Sequence, residues 1–380
     1  MANEIIVPSS DYDALRKKLD QRQDTEAARM KRFLAMSDLA RTPGSPLYDL
    51  AQRIIALPRF ADFKVLNVPE IVSAELTFDK FNFAPDHPTR SKSDTYYVDD
   101  QNILRTHTTV MWAYHLGLSD VKEKIADGKA VGALSYGKVY RKDEIDRNHM
   151  NVFHQMDGYY LCRKSEHVIT LDDLKEVLSE IARAIFGPAI EFRFNPDTFP
   201  YTDPSLEMEV KIGERWIEVL GAGVVRGEVL KNFGVDPTVY NGWAFGFGLE
   251  RLAIISMELP DIRLLWSEDE RVKKQLKLGQ KFKEVSKFPP ITRDISFIVS
   301  KDFVPNNYFD LIRDLGGDLV EEVQLLDKYE NEAKFGTDKI SYTYRIVYRS
   351  TERTLTSEEV DSIQKKIYDE TAKQYAAELR

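Results

Sequence analysis

A single cysteine, Cys162, stands among the 380 residues, so no internal disulfide framework is possible and the chain suits a reducing compartment. No apolar run is long enough to cross a bilayer. The six histidines have no cysteine partners, which argues against a structural zinc site. Basic residues do not dominate: 53 Lys and Arg face 62 Asp and Glu, for a net charge of −9. Any nucleic-acid partner must therefore be held by local basic patches rather than by overall attraction. No G-x-x-x-x-G-K-[ST] loop occurs, and Gly246-Phe247-Gly248 runs into Leu249-Glu250-Arg251 without a third glycine. Neither a P-loop nor a dinucleotide fingerprint holds a phosphate here. No convincing Ser-His-Asp or Cys-His nucleophile is found. The first residues, MANEIIVPSSDYDALRKKLDQ, lack both an apolar signal core and an acid-poor transit pattern, which makes the cytoplasm the simplest compartment.

What is present is dense between Tyr136 and Gly158, YGKVYRKDEIDRNHMNVFHQMDG, read as strand, charged loop and strand. Period-two alternation puts Phe153, Gln155 and Asp157 on one face of the second strand, with Val152, His154 and Met156 on the other. Arg141 reaches over the first of these faces if the strands pair antiparallel. An aromatic ring, an amide, a carboxylate and a guanidinium suit a ligand with a flat ring, an anionic group and an ammonium; the plainer alternative is a hairpin with a wet face.

The length predicts two or three domains. Residues 10–40 read as helix and form a packed arm, ended by the turn cluster Thr42-Pro43-Gly44-Ser45-Pro46. Leu47–Leu57 reads as helix and Phe63–Val68 as a strand stopped by Pro69. A strand ends at Thr106-His107-Thr108-Thr109, whose hydroxyls and imidazole suit an ammonium or a carboxylate; singly, His107 is as well read as a capping or core residue. Leu171–Phe186 is an amphipathic helix. The prolines of Phe199-Pro200-Tyr201-Thr202-Asp203-Pro204 stiffen a loop that is either plain or a pocket wall. Strands at Leu206–Val210 and Trp216–Leu220 carry Glu207, Glu209 and Glu218, which are solvated edges unless a divalent cation lies between them and a nucleotide. Asn241–Ile255, NGWAFGFGLERLAII, is a glycine-interrupted strand turning into a helix headed by Glu250 and Arg251.

Six segments in order now resemble one family. The strand ending at Pro69, Val139–Met156 and Gly242–Ile255 are similar to motifs 1, 2 and 3 of class II aminoacyl-tRNA synthetases. Thr106–Thr109, Phe153-His154-Gln155 and Phe199–Thr202 resemble segments of the single-chain phenylalanyl-tRNA synthetases of mitochondria. The resemblance runs from about residue 42 to the C-terminus. It implies an α+β fold: a class II antiparallel sheet flanked by helices, followed by a ferredoxin-like anticodon-binding domain. The expected division is an arm at 1–41, a catalytic domain at 42–263, a charged linker at 264–285 and the C-terminal domain at 286–380.

The resemblance further implies ATP-dependent attachment of phenylalanine to tRNA(Phe) through an adenylate, with ATP and Mg2+, no membrane and a monomer. Arg141, His149 and Arg251 would be catalytic. ATP would be held by these three with Asp143 and Phe153, the ring and Arg251 sandwiching adenine. His107, Thr109, Gln155 and Asp157 would take the amino acid's polar end, and Phe199, Tyr201 and Ala244 its ring. Glu218 is the one candidate metal ligand. In the C-terminal strand Ile340–Arg349, Arg345 and Arg349 share the face expected to meet tRNA, where a merely solvated face is the alternative. The architecture also makes the mitochondrial matrix an alternative compartment. Three departures stand out: Asp157 where many members have Glu, Thr109 where many have Ser, and Tyr201 where organellar members usually have Phe. A hydroxyl in the wall bears on discrimination against tyrosine. Rival functions are activation of a different amino acid such as tyrosine, or a non-catalytic tRNA-binding paralogue.

Overall fold

The computed structural model describes residues 4–7, 10–142 and 147–380; Asp143, expected at the nucleotide, lies outside them. The chain forms two compact units, 1–282 and 283–380.

In the first unit the strands are β1 (Glu4–Ile6), β2 (Lys64–Asn67), β3 (Ile71–Ser73), β4 (Asn102–Leu104), β5 (Val131–Tyr140), β6 (Val152–Arg163), β7 (Phe192–Phe199), β8 (Thr202–Ile212), β9 (Arg215–Val225) and β10 (Tyr240–Gly248). Eight of them make one sheet in the order β1-β2-β5-β6-β10-β9-β8-β7. Only β1–β2 and β2–β5 run parallel; the rest is antiparallel, as expected of the class. β5 is buried almost end to end because it lies inside the sheet with cover on both faces. The helix Leu171–Phe186, opened by a capping box between Thr170 and Asp173, buries Leu174, Val177, Leu178, Ile181 and Ile185. A core of Leu66, Phe78, Phe81, Trp112, Tyr159 and Leu161 lies beside the pocket described below.

Two expectations are corrected. The stretch 10–40 is not one helix but two, Ser10–Gln21 and Thr25–Ala35. Asp24 accepts the Ala27 amide and so starts a new helix, a local capping signal that the broad apolar periodicity conceals. The two helices share a core with Ile71, Tyr96, Leu104 and Tyr140. The charged stretch 264–285 is bonded to the first unit as far as Phe282: the Phe282 amide donates to Met257 O (2.8 Å) and the Gly279 amide to Ser256 Oγ (2.9 Å). Its charges surround Leu265, Val272, Leu276 and Phe282, all buried, and four apolar anchors outweigh a polar average.

The second unit contains β11 (Ile291–Ser300), β12 (Val320–Tyr329), β13 (Lys339–Tyr348) and β14 (Glu378–Leu379) in the order β12-β13-β11-β14. With the helices Pro305–Gly316 and Ser357–Tyr375 this is the expected split βαβ arrangement, extended by β14. Tyr342, Tyr344, Ile346 and Tyr348 face its core.

Candidate active site

β5 and β6 pair antiparallel, with Val139 opposite Phe153 and Tyr140 opposite Val152. That register brings Arg141, just past β5, to Phe153, with the guanidinium carbon 5.2 Å from the ring centroid. Arg141 Nε donates to Thr106 O at 2.9 Å. Its guanidinium then lies between two cavities and lines both.

The first cavity encloses about 420 Å3 and is lined by Thr106, His107, Thr109, Gln155, Tyr201 and Arg141, with Phe81 and Phe83. Three buried side-chain atoms along it have no partner: Thr106 Oγ1, His107 Nδ1 and Gln155 Oε1. Buried polar atoms left unpaired cost about 1–3 kcal/mol each, so they mark a place where a ligand completes the bonding. His107 Nε2 lies 3.2 Å from Thr77 O. A carbonyl can only accept, so the proton sits on Nε2 and Nδ1 presents a lone pair. Burial holds His107 down to about 3, and the ring stays neutral. Asp157 is buried beside these atoms and accepts from the Thr108 hydroxyl and, at 2.8 Å, from Thr109 Oγ1. Burial pushes its carboxyl up to about 6, against those hydroxyls and Arg141. The acceptors outnumber the donors at this end, which suits an ammonium. Gly246 stands opposite Asp157 in the register, and a Cβ there would run into Asp157 Oδ1; only glycine leaves that carboxylate its room.

The apolar end is aromatic. Tyr201, in the turn between β7 and β8, stacks on Phe199 at 5.7 Å with 6° between planes. It meets the edge of Phe81 at 6.2 Å and Phe83 at 6.1 Å. Phe199 is thus one layer behind the lining, against Gly221. Ala244 is buried in the adjoining core and is not among the residues lining the cavity. Phe81, Phe83 and Thr108 were not singled out in the sequence; the segment rich in Phe, Asp and Pro around 78–86 was the available signal for the first two.

The second cavity, about 300 Å3, is lined by Arg141, His149, Phe153, Glu218, Gly246, Glu250 and Arg251 among others. Arg251, at the head of the helix Leu249–Met257, lies 3.6 Å from the Glu218 carboxylate, and its Nη1 donates to Glu218 O at 3.3 Å. Glu250 was noted only as a neighbour of Arg251, yet its buried carboxylate accepts from both the amide and Nδ1 of His154. The Leu39 amide donates to His154 Nε2 at 2.9 Å, so Nε2 keeps a lone pair, the ring proton sits on Nδ1 toward Glu250, and burial favours this neutral ring although the Glu250 and Asp38 carboxylates flanking it pull the other way.

Among the described residues no group of three or more His, Cys, Asp or Glu side chains could hold a metal ion. Glu250 is committed to His154, and Glu218, 3.6 Å from Arg251 on the wall of the second cavity, offers one carboxylate; that is no protein cage for magnesium, but one carboxylate together with a nucleotide's phosphates is an ordinary magnesium donor set. In the second unit, Arg345 makes two 2.8 Å bonds to Asp294, and Arg349 bonds to Glu321 at 2.9 Å and to Phe288 O. Both cations expected at tRNA are thus paired with acids.

A family model described as tRNA synthetases class II core domain (F) matches residues 35–276, and one described as ferredoxin-fold anticodon binding domain matches 286–380. The chain is 43% identical to the phenylalanine–tRNA ligase, chloroplastic/mitochondrial, of Arabidopsis thaliana, over 85% of this chain and 73% of that one. It is 37% identical to the mitochondrial enzyme of Mus musculus, over 80% and 72% of the two chains. The mitochondrial enzyme of Saccharomyces cerevisiae is 33% identical, over 84% and 83%. No helix among the described residues is long and apolar enough to cross a membrane. With a class II core and an anticodon-binding fold continuous in one polypeptide, the chain belongs to the single-chain phenylalanine–tRNA ligases.

Proposed function

We propose that this phenylalanine–tRNA ligase aligns its two small substrates across Arg141, with phenylalanine in the cavity of Gln155 and Asp157 and ATP in that of Phe153 and Arg251. The observation that carries the reading is that one guanidinium lines both cavities. The ammonium of phenylalanine meets Asp157, Gln155 Oε1 and His107 Nδ1, with Thr109 holding Asp157 ionised; the ring lies against Tyr201, Phe81 and Phe83, with Phe199 behind and Ala244 beneath. Adenine stacks on the face of Phe153 that Arg141 leaves free, and Arg251 closes over it. His149, on the wall of the same cavity, approaches the phosphates.

The reaction needs alignment and positive charge, not a protein nucleophile. The substrate carboxylate attacks the α-phosphorus in line; an O–P bond forms to the carboxylate and the bond to pyrophosphate breaks, its electron pair leaving with pyrophosphate. Arg141 stabilises the charge that builds on the α-phosphate. The terminal ribose of tRNA(Phe), through its 2′-hydroxyl, then displaces AMP from the adenylate. Magnesium, used by class II synthetases in general, would supply charge neutralisation on the triphosphate. The second unit supports anticodon recognition, where Arg345 and Arg349 contribute only if their acid partners yield to RNA phosphates. The organellar names of the relatives favour mitochondria over the cytoplasm, and the single-chain architecture favours a monomer.

The test is pyrophosphate exchange with phenylalanine and with tyrosine. Arg141→Ala should abolish exchange while the circular dichroism spectrum and unfolding midpoint persist; full exchange in that variant would refute the assignment. Exchange with tyrosine alone would favour the rival substrate, and none with either the non-catalytic paralogue.

A further inference from the structure

Glu250 and His154 join the two walls of the nucleotide cavity. Glu250 is the second residue of the helix that presents Arg251, and it is 3% exposed. One carboxylate oxygen accepts the His154 amide at 2.9 Å and Nδ1–H at 2.7 Å, and the other lies 2.8 Å from the same amide. His154 lies between Phe153 and Gln155 on β6 and projects from the opposite face, fully buried, where Nε2 sits 2.9 Å from the Leu39 amide and 3.3 Å from Asp38. One carboxylate therefore ties the first turn of the Arg251 helix to the strand that carries Phe153.

The strand does not need the tie to keep its own place. β6 is paired with β5 from Tyr140↔Val152 to Val131↔Leu161 and with β10 from Gly248↔Gln155 to Tyr240↔Arg163. The helix is different. It runs on from β10, whose Gly248 still pairs with Gln155, but past that point Gly248 offers no side-chain cap, and the buried residues other than Glu250, namely Leu249, Leu252, Ala253, Ile255 and Met257, are all apolar. Apolar contacts set how deep a helix lies, but being non-directional they leave the rotation of its first turn loosely defined. A buried carboxylate on two directed donors defines it.

We propose that Glu250 and His154 are positioning residues for adenylation, setting the distance and alignment of Arg251 against Phe153 and hence the slot that receives the purine. This rests on the reading of Arg251 and Phe153 as ATP contacts. Gln155 and Asp157 sit on the independently anchored strand, so the amino-acid site should not feel the loss.

The experiment compares Glu250→Ala, His154→Gln, His154→Asn and Arg251→Ala in the full chain by phenylalanine-dependent pyrophosphate exchange, with unfolding midpoints alongside. Glu250→Ala should raise KM for ATP about tenfold, roughly what 1.4 kcal/mol of lost alignment produces, and leave KM for phenylalanine within about twofold. An asparagine amide reaches where Nδ1 stood and a glutamine amide does not, so His154→Asn should stay close to the parent while His154→Gln raises KM for ATP; this pair decides the matter even if Glu250→Ala does not fold. Equal rises in both KM values, or equal effects of the two His154 variants, would overturn the positioning role. Arg251→Ala raising KM for ATP while the Glu250 and His154 variants do not would overturn that role alone, whereas Arg251→Ala without effect on ATP would overturn the reading beneath it.

Discussion

Asp157→Asn should make the ligand-free protein more stable at neutral pH while removing phenylalanine binding. In the fold, burial raises Asp157 from an ordinary 3.8 to about 6. Above pH 6 the folded protein holds a carboxylate that the interior penalises, whereas the unfolded chain holds the same charge in water. Between those two values the folded state binds more protons than the unfolded one, so stability falls as pH rises through roughly 4 to 6 and stays reduced above. At about 1.4 kcal/mol per pH unit, the penalty at pH 7.5 is about 3 kcal/mol. Asparagine escapes it but cannot accept well from both Thr108 and Thr109, so the net gain should be about 1–2 kcal/mol at pH 7.5 and absent at pH 4. The substrate ammonium offsets the same penalty in the parent enzyme; losing the pair should weaken phenylalanine by about 2–5 kcal/mol. Denaturant unfolding at the two pH values, with calorimetric titration of phenylalanine, reads both effects. A variant destabilised equally at both pH values, or one that still binds phenylalanine normally, would refute the account. In the parent, phenylalanine affinity should fall as pH drops below about 6, because Asp157 then gains a proton and ceases to attract the ammonium.

Gly246→Ala should raise KM for phenylalanine at least about tenfold with little change in fold, since its methyl group would occupy the place of Asp157 Oδ1; an unchanged KM would mean that the carboxylate is not at the substrate. Tyr201→Phe keeps the stack on Phe199 and should leave phenylalanine exchange within about threefold while lowering exchange with tyrosine, because the hydroxyl that Tyr201 adds to the cavity wall is lost; an unchanged ratio would place the Tyr201 hydroxyl away from the ring's para edge. Deleting residues 283–380, a compact unit of its own, should spare adenylate formation and impair tRNA charging, and undiminished charging would count against an RNA role for that unit.

The polar face of β6 and the position of Arg141 were readable in the chain because they follow from period-two geometry over a few neighbouring residues. The capping boxes at Thr170 and Thr356 are local features of the same kind, each closing over three residues. What the tertiary structure alone decided lies at long sequence separation. Thr108 and Thr109 meet Asp157 across 49 and 48 residues, His154 meets Glu250 across 96, and Arg345 meets Asp294 across 51. No periodicity or spacing encodes such pairs. A strand pattern says which way Arg345 points, but whether its charge is free or met by a carboxylate depends on which strand packs beside it. For the same reason the sequence identified Arg251 and Phe153 separately, and only the folded chain revealed the buried carboxylate that joins them.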